Sequence, residues 1–548
     1  MTTQFNPTGA LPGPVLVDPR LGMAQPMALP RPMPVPRPKR PYEVVPADSA
    51  WAVVVLLIGF LFWNWLWPRS QQVSQTRDHG GSSTVFVYMP SISVLAFAVV
   101  LLACSFGYFA SKKMTVSRGG LVGAGLILLG AIPFALYDTT PVHIFAGMFL
   151  LVGYVVWHAY AARTAISPNL GGLSWSDVVN QAFVVPVANA GAWFSAARGL
   201  THQKKRPAQL IIAVVSVIVA LPVLGIVLAL LVSADSRFGA WVETLNQWGK
   251  HVPIGTFVWQ FCFGVPVALY GFALLYGNAN RRHTDHLTPE VVSKWTTSLR
   301  RVRTIALVAP VTLLCLFYAA FLAAIGSYLL PAFAGQLPAG FTYAGYARQG
   351  FFQLAAVAGI NLGVLAFMYL SAKRTDEAYP PAMRILGATL TGLTLLLIVT
   401  AMSKMFLYVG QFGLTQLRLY TMWFMAVLFI FFALLGVWHV RRFRVAGAIA
   451  WIGLLSFLGL LWSNSDGIIA DYNTNQFLSG RMHTIDVKYM ADNLSDAAIP
   501  ALTRLQAEAD PATSARVTAA LATRAQQGSS LTPPGDTPWP AWNLQLHR

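Results

Sequence analysis

The sequence predicts an all-α fold, a polytopic bundle of transmembrane helices, and three observations carry that class. Of 548 residues, 55% are hydrophobic and only 11% are charged, against about 25% charge in an ordinary soluble chain. Mean hydropathy is +0.56. Apolar stretches recur that are long enough to cross about 30 Å of hydrocarbon, which takes about 20 helical residues. These features exclude a disordered chain, a coiled coil and a disulfide scaffold, and the length exceeds what one soluble core organises.

About eleven spans are expected, at residues 51 to 67, 90 to 110, 119 to 137, 141 to 161, 208 to 233, 253 to 277, 303 to 330, 350 to 372, 382 to 403, 419 to 439 and 446 to 463. The net charge of +18 would suggest a nucleic-acid partner in a soluble chain, but the positive-inside rule accounts for it here. With the N-terminus placed inside, 25 of the 38 Lys and Arg fall on or beside the tail and inner loops, 7 on the outer loops and 6 after residue 463. That bias predicts an N-in, C-out chain with the lipid bilayer, and no nucleic acid, as its partner.

Residues 1 to 48 read as a disordered, proline-rich cytoplasmic tail. Twelve of the 34 prolines fall there, and PRPMPVPRPKRP at 30 to 41 is expected as polyproline II, because proline fixes φ and removes a donor. A tether is the plain reading, and docking of a protein partner is the sharper one. The opening residues lack the pattern of a cleavable signal peptide. The transmembrane bundle is expected over 49 to 463, and within it 173 to 199 is too polar to span and too apolar to float. An interfacial helix broken near Pro186 is expected there, with Trp175 and Trp193 at headgroup depth. Residues 464 to 548 read as a small extracytoplasmic helical tail, with Ser495 capping one helix and Asp510 with Pro511 starting another.

No cofactor or metal site is expected. Cys104, Cys262 and Cys315 each sit in an apolar run, without zinc or disulfide spacing. His283, Asp285 and His286 have chelating spacing but lie in a basic polar loop. RGGLVGAG at 118 to 125 lacks the strand and acidic residue of a dinucleotide site. Gly119 and Gly123 instead have the small-xxx-small spacing of close helix packing.

The candidate site is a set of polar residues near outer span ends, where charge beside hydrocarbon needs a partner. Arg348, Gln349 and Gln353 enter the eighth span, and Asn361 lies in its middle. Lys404, Tyr408, Gln411, Gln416 and Arg418 fall between the ninth and tenth, and Asn464, Asp466, Asp471 and Asn473 follow the eleventh. The plain reading is a structural polar belt. The sharper one is a site where excess positive charge meets a polar or anionic small molecule, with Arg348 pairing Asp466.

These segments carry a resemblance. YARQGFF, MFLYVGQFGLTQLRLYTMWF, NSDGIIADYN and LSDAAIPAL resemble the signature of the bacterial multi-pass family domain of unknown function 4173, related to 4153. The resemblance implies a bacterial inner-membrane protein whose chemistry is not established. Gln349 stands where an acidic residue is expected and Ser465 where a proline is expected, which weakens a proton-transfer role at Gln349. Function is therefore expected as recognition or transport of a polar or anionic ligand at the outer face, coupled to transport or signalling. The alternatives are a membrane-embedded transferase using a lipid-linked donor, with Asp466 or Asp471 as base, and a structural partner in an envelope complex.

Overall fold

The computed structural model describes residues 42–66, 69–74, 83–88, 91–137, 139–167, 174–199, 254–284, 304–333, 351–371 and 380–529, with short pieces at 227–238 and 290–294. Most of the proline-rich tail and residues 530–548 lie outside that set. Among the described residues ten helices are long and apolar enough to cross a membrane. The expected span at 208 to 233 lies largely outside them.

The first group of helices comprises α1 (Pro46–Leu66), α2 (Ile92–Ser111), α3 (Arg118–Leu136) and α4 (Thr140–Ala161). Three short helices follow, α5 (Ser174–Val179), α6 (Val185–Ala188) and α7 (Ala192–Gly199), with a π turn over Asn180–Val184 just ahead of Pro186. The group closes with α8 (Ile254–Ala279), packed along α1. Gly59 and Gly264 let these two backbones touch, since a β-carbon on either would overlap the other's carbonyl. Between α1 and α2 the chain makes an antiparallel hairpin, β1 (Arg69–Ser74) with β2 (Ser83–Tyr88), in register Arg69 to Tyr88. This small hairpin is an addition to the all-α expectation.

The second group comprises α9 (Thr304–Phe333), α10 (Phe351–Ser371), α11 (Pro381–Phe412), α12 (Gln416–Val440) and α13 (Val445–Trp462). A helical module completes the fold: α14 (Ser465–Leu478), α15 (Val487–Asp492), α16 (Ile499–Glu508) and α17 (Pro511–Ser529). Its core is continuous with that of α9 to α12, one cluster running from Leu307 through Phe432 to Leu502 and Val517. α13 joins this group to the first through Leu458 and Leu461 on Phe134, Val142 and Ala146.

Large apolar side chains such as Leu57, Met148, Leu151 and Phe317 are more than half exposed along the spans, as helices in lipid require. The end of the bundle where α1 begins is called the near face below, and the end carrying the module the far face. The protein is a multi-pass integral membrane protein.

Candidate functional site

Far-face chemistry begins with a helix that runs longer than the apolar pattern suggests. The ninth expected span stops near residue 403, but α11 continues to Phe412. Its 32 residues measure about 48 Å at 1.5 Å per residue, well beyond the hydrocarbon. Lys404, Tyr408 and Gln411 thus stand half-buried on its last turns rather than in a loop. The turn into α12 is three residues long and depends on Gly413, whose φ of +74° disfavours any side chain. A β-carbon there would also overlap Asn473 Oδ1.

Asn473, buried on α14, clasps that turn. Its Oδ1 accepts from Leu414 N at 2.6 Å and its Nδ2 donates to Leu414 O at 2.9 Å. Arg418 closes the other side, donating to the carbonyls of Phe412 and Gly413 and lying 4.1 Å from the Tyr408 ring centre. A cation on the last carbonyls of a helix opposes its dipole. Thr415 caps α12 by accepting from Arg418 N, and Tyr489 Oη accepts from Gln416 N at 2.8 Å. Burial pushes the Tyr489 phenol up, only partly offset by that N–H donor, so it stays neutral.

Asp466 is the hub. It is 1% exposed and sits in the first turn of α14, where a negative charge suits the helix dipole. One carboxylate oxygen accepts from Gln416 Nε2 at 2.8 Å; the other accepts from Ser495 N at 2.8 Å and Thr139 Oγ1 at 3.3 Å. Three neutral donors from the start of α12, the module and the residue before α4 therefore meet on one charge. Ser465 adds a contact of 3.0 Å between its Oγ and Tyr420 Oη, which a proline would not make. Asn464 caps α14 through Gly467 N.

The remaining expected residues are spread out. Asp471 and Gln353 are exposed, and Arg348 and Gln349 lie outside the described residues. Asn361 is deep in the bundle, donating to Thr394 Oγ1 at 2.9 Å and accepting from Tyr318 Oη at 2.8 Å, which ties α9, α10 and α11. Gly119 faces a cleft, while Trp157 crosses Gly123 and donates to Gly120 O at 2.7 Å, so the close approach of α3 and α4 runs through Gly120 and Gly123. Asp285 and His286 lie outside the described residues; among those described no His, Cys, Asp and Glu cluster has metal-binding geometry. The three cysteines are free.

The near face holds polar clusters that sequence reasoning missed. Asp48 is fully buried, accepting from Tyr108 Oη at 2.8 Å and pairing with Lys112 Nζ at 2.6 Å, and its other oxygen reaches back to Val45 N at the start of α1. Asn278 bonds Gln181 and Thr164, and Asn180 donates to Thr284 O, which fastens the π turn to α8. Asp177 accepts from Ile166 N and Ser167 N, and burial pushes its carboxyl up against the pull of those two donors. The available signal was the polar run WSDVVNQ inside an apolar segment, which marks buried amides in need of partners.

A continuous helical bundle with its buried polar ties and capping module defines a class, the polytopic helical membrane protein. Within it the chain belongs to the family "Domain of unknown function (DUF4153)", whose model matches residues 124–505, from the first half of α3 to α16. No match was found among curated proteins or among solved structures.

Proposed function

We propose that the protein recognises a polar ligand bearing an anionic group at the far face and couples its binding to the helix bundle, for transport or signalling, in a bacterial cytoplasmic membrane with the N-terminus inside and the module outside. The single observation behind this reading is the Asp466 hub, because it joins the module, the start of α12 and the start of α4 through one buried charge. A displacement of the module then acts on both helix groups at once. Arg348 and Lys404 supply positive charge for the ligand, and Arg418 holds the α11 carbonyls. Pairing of Arg348 with Asp466 belongs to this proposal, as does kinship with the sister family 4173.

A second reading has its own observation. Asp466, Asn473 and Gln416 are satisfied by partners within the chain, which favours a structural belt in an envelope complex. The transferase reading has less support, because both Asp466 oxygens already accept hydrogen bonds and Asp471 is exposed on the module.

A thermal-shift screen of the purified chain with sugars, amino acids and organic phosphates separates these readings. Ligand recognition predicts a stabilising hit that Arg348→Ala abolishes, beyond whatever loss of melting temperature the broken Arg348–Asp466 pair causes in the free protein. A screen without hits, together with Arg348→Ala melting lower by itself, supports the belt. Turnover of a labelled lipid-linked donor would favour the transferase.

A further inference from the structure

Two cavities flank the start of α13, and a single charged side chain belongs to both. The first, about 840 Å³, lies between α3, α4 and α13. Its wall runs from Phe145 to Tyr160 on α4 and from Arg444 to Phe457 on α13, a groove about 20 Å long at 1.5 Å per residue. Among the described residues Tyr160 and Arg444 are its only hydroxyl or charged lining groups, and both stand at the near-face end. The second cavity, about 720 Å³, opens at that end and runs inward to Leu362 at the middle of α10, between α10, α12 and the start of α13. Its walls include Trp175, Tyr369 and Trp438, residue types that favour headgroup depth.

Arg444 stands at the junction. It precedes α13 in the N-cap position, no side chain caps that helix, and its first turn holds no acidic residue. Its guanidinium makes no hydrogen bond or ion pair among the described residues. In the second cavity His439 is 5% exposed, and neither ring nitrogen has a partner among the described residues. Among the described residues no carboxylate lines either cavity. Arg441 is exposed beside them, and Arg442 stacks on Trp438 at 4.0 Å.

We infer that the start of α13 is a binding site for one anionic glycerophospholipid, with its phosphate on Arg444, an acyl chain along the α3–α4–α13 groove and its headgroup in the chamber against His439. A hydrocarbon alone would leave the buried imidazole unmatched and the exposed Arg444 guanidinium without a counter-charge. A free phosphate or compact metabolite would leave the long groove empty. Phosphate suits both the guanidinium, through charge-assisted hydrogen bonds, and an uncapped helix N-terminus. The basic cluster with no carboxylate selects net negative charge over a zwitterion. This site lies at the opposite face from the ligand of the preceding reading and stands or falls independently of it.

The test is native mass spectrometry of the full chain, delipidated and then offered phosphatidylglycerol and phosphatidylcholine in equal amounts. Phosphatidylglycerol should be retained about tenfold better, because both lipids bring a phosphate to Arg444 but phosphatidylcholine also brings a choline cation to the basic cluster. Arg444→Gln should weaken retention of both lipids about tenfold, the factor expected for one charge-assisted contact. Gly153→Leu should lose both, because position 153 lines the groove and a β-carbon there meets only Ile127, at 3.9 Å. Gly125→Leu, on α3 but outside both cavities with open space around it, should behave as the unmodified protein. Equal retention of the two lipids by the unmodified chain overturns the proposal, and so does retention that Arg444→Gln leaves unchanged. Displacement of the lipid by inorganic phosphate would show a free-anion site and overturn it as well. The lipid and phosphate competitions use the unmodified chain, so the proposal stays testable if a variant fails to fold.

Discussion

The two faces of the bundle use buried polar groups in opposite ways. At the far face Asp466, Asn473 and Gln416 meet one another's segments, and Arg418 is folded back on the α11 carbonyls. Beside α13 at the near face, the buried His439 borders a cavity with neither ring nitrogen partnered among the described residues, and the exposed Arg444 has no counter-ion among them. Polarity and burial alone do not separate a lock from a site, since both regions have them. What separates them is satisfaction, because a buried polar atom left unpaired costs free energy that some ligand or water must offset. The near face also contains a closed lock, Asp48 with Tyr108 and Lys112, so the contrast concerns environments and not ends of the molecule.

The largest effect is expected where a lock holds an ion pair. Lys112→Met should cost about 3 to 5 kcal/mol, because it strands the fully buried Asp48 charge; a thermal melt in detergent measures it. Asp48→Asn with Lys112→Met should recover part of that loss, and strict additivity would show that the two groups do not interact.

Asp466→Ala comes next, at about 3 kcal/mol, since it leaves several donors unmet. Thr139→Ala should then add little in the Asp466→Ala background. If the two losses sum in full, the hub is not shared between α4 and the module, and the coupling drawn from it fails.

Gly413→Ala should cost about 2 kcal/mol from the positive φ alone, and more if Asn473 is displaced. Asn473→Ala should reduce that excess, because it removes the atom a β-carbon would strike. Proteolysis of the module under native conditions reports the same loosening.

The smallest effect concerns pH. Hydrogen bonds from Thr513 and the backbone N–H of Ala512 and Thr513 hold the exposed Asp510 carboxyl below its usual range at the start of α17. A depressed carboxyl contributes stability above its unfolded value, about 3.9, and loses it as pH falls through the folded value. Helix content should therefore be flat from pH 8 to 5 and fall slightly below about pH 4. Asp510→Asn, which keeps an acceptor without the charge, should flatten that change.

The membrane class was legible from composition and span length because the bilayer sets a local rule: about 20 apolar residues make a crossing whatever lies elsewhere. Asn361 could be read as a residue in need of a partner for the same reason, since an amide in hydrocarbon has no water to bond. Its partners, Tyr318 and Thr394, could not be read, because nothing local specifies which helices adjoin. Thr139 and Asp466 stand 327 positions apart, and only the packing of α13 against α3 and α4 brings them together. The run of α11 past residue 403 to Phe412 was hidden by polar side chains that tertiary partners satisfy. Arg444 read as one more inner-face cation, and only the structure places it at the mouth of two cavities. Chain-local physics determined that this protein crosses the membrane many times; the meeting of distant helices decided which of its polar residues are locked and which face open space.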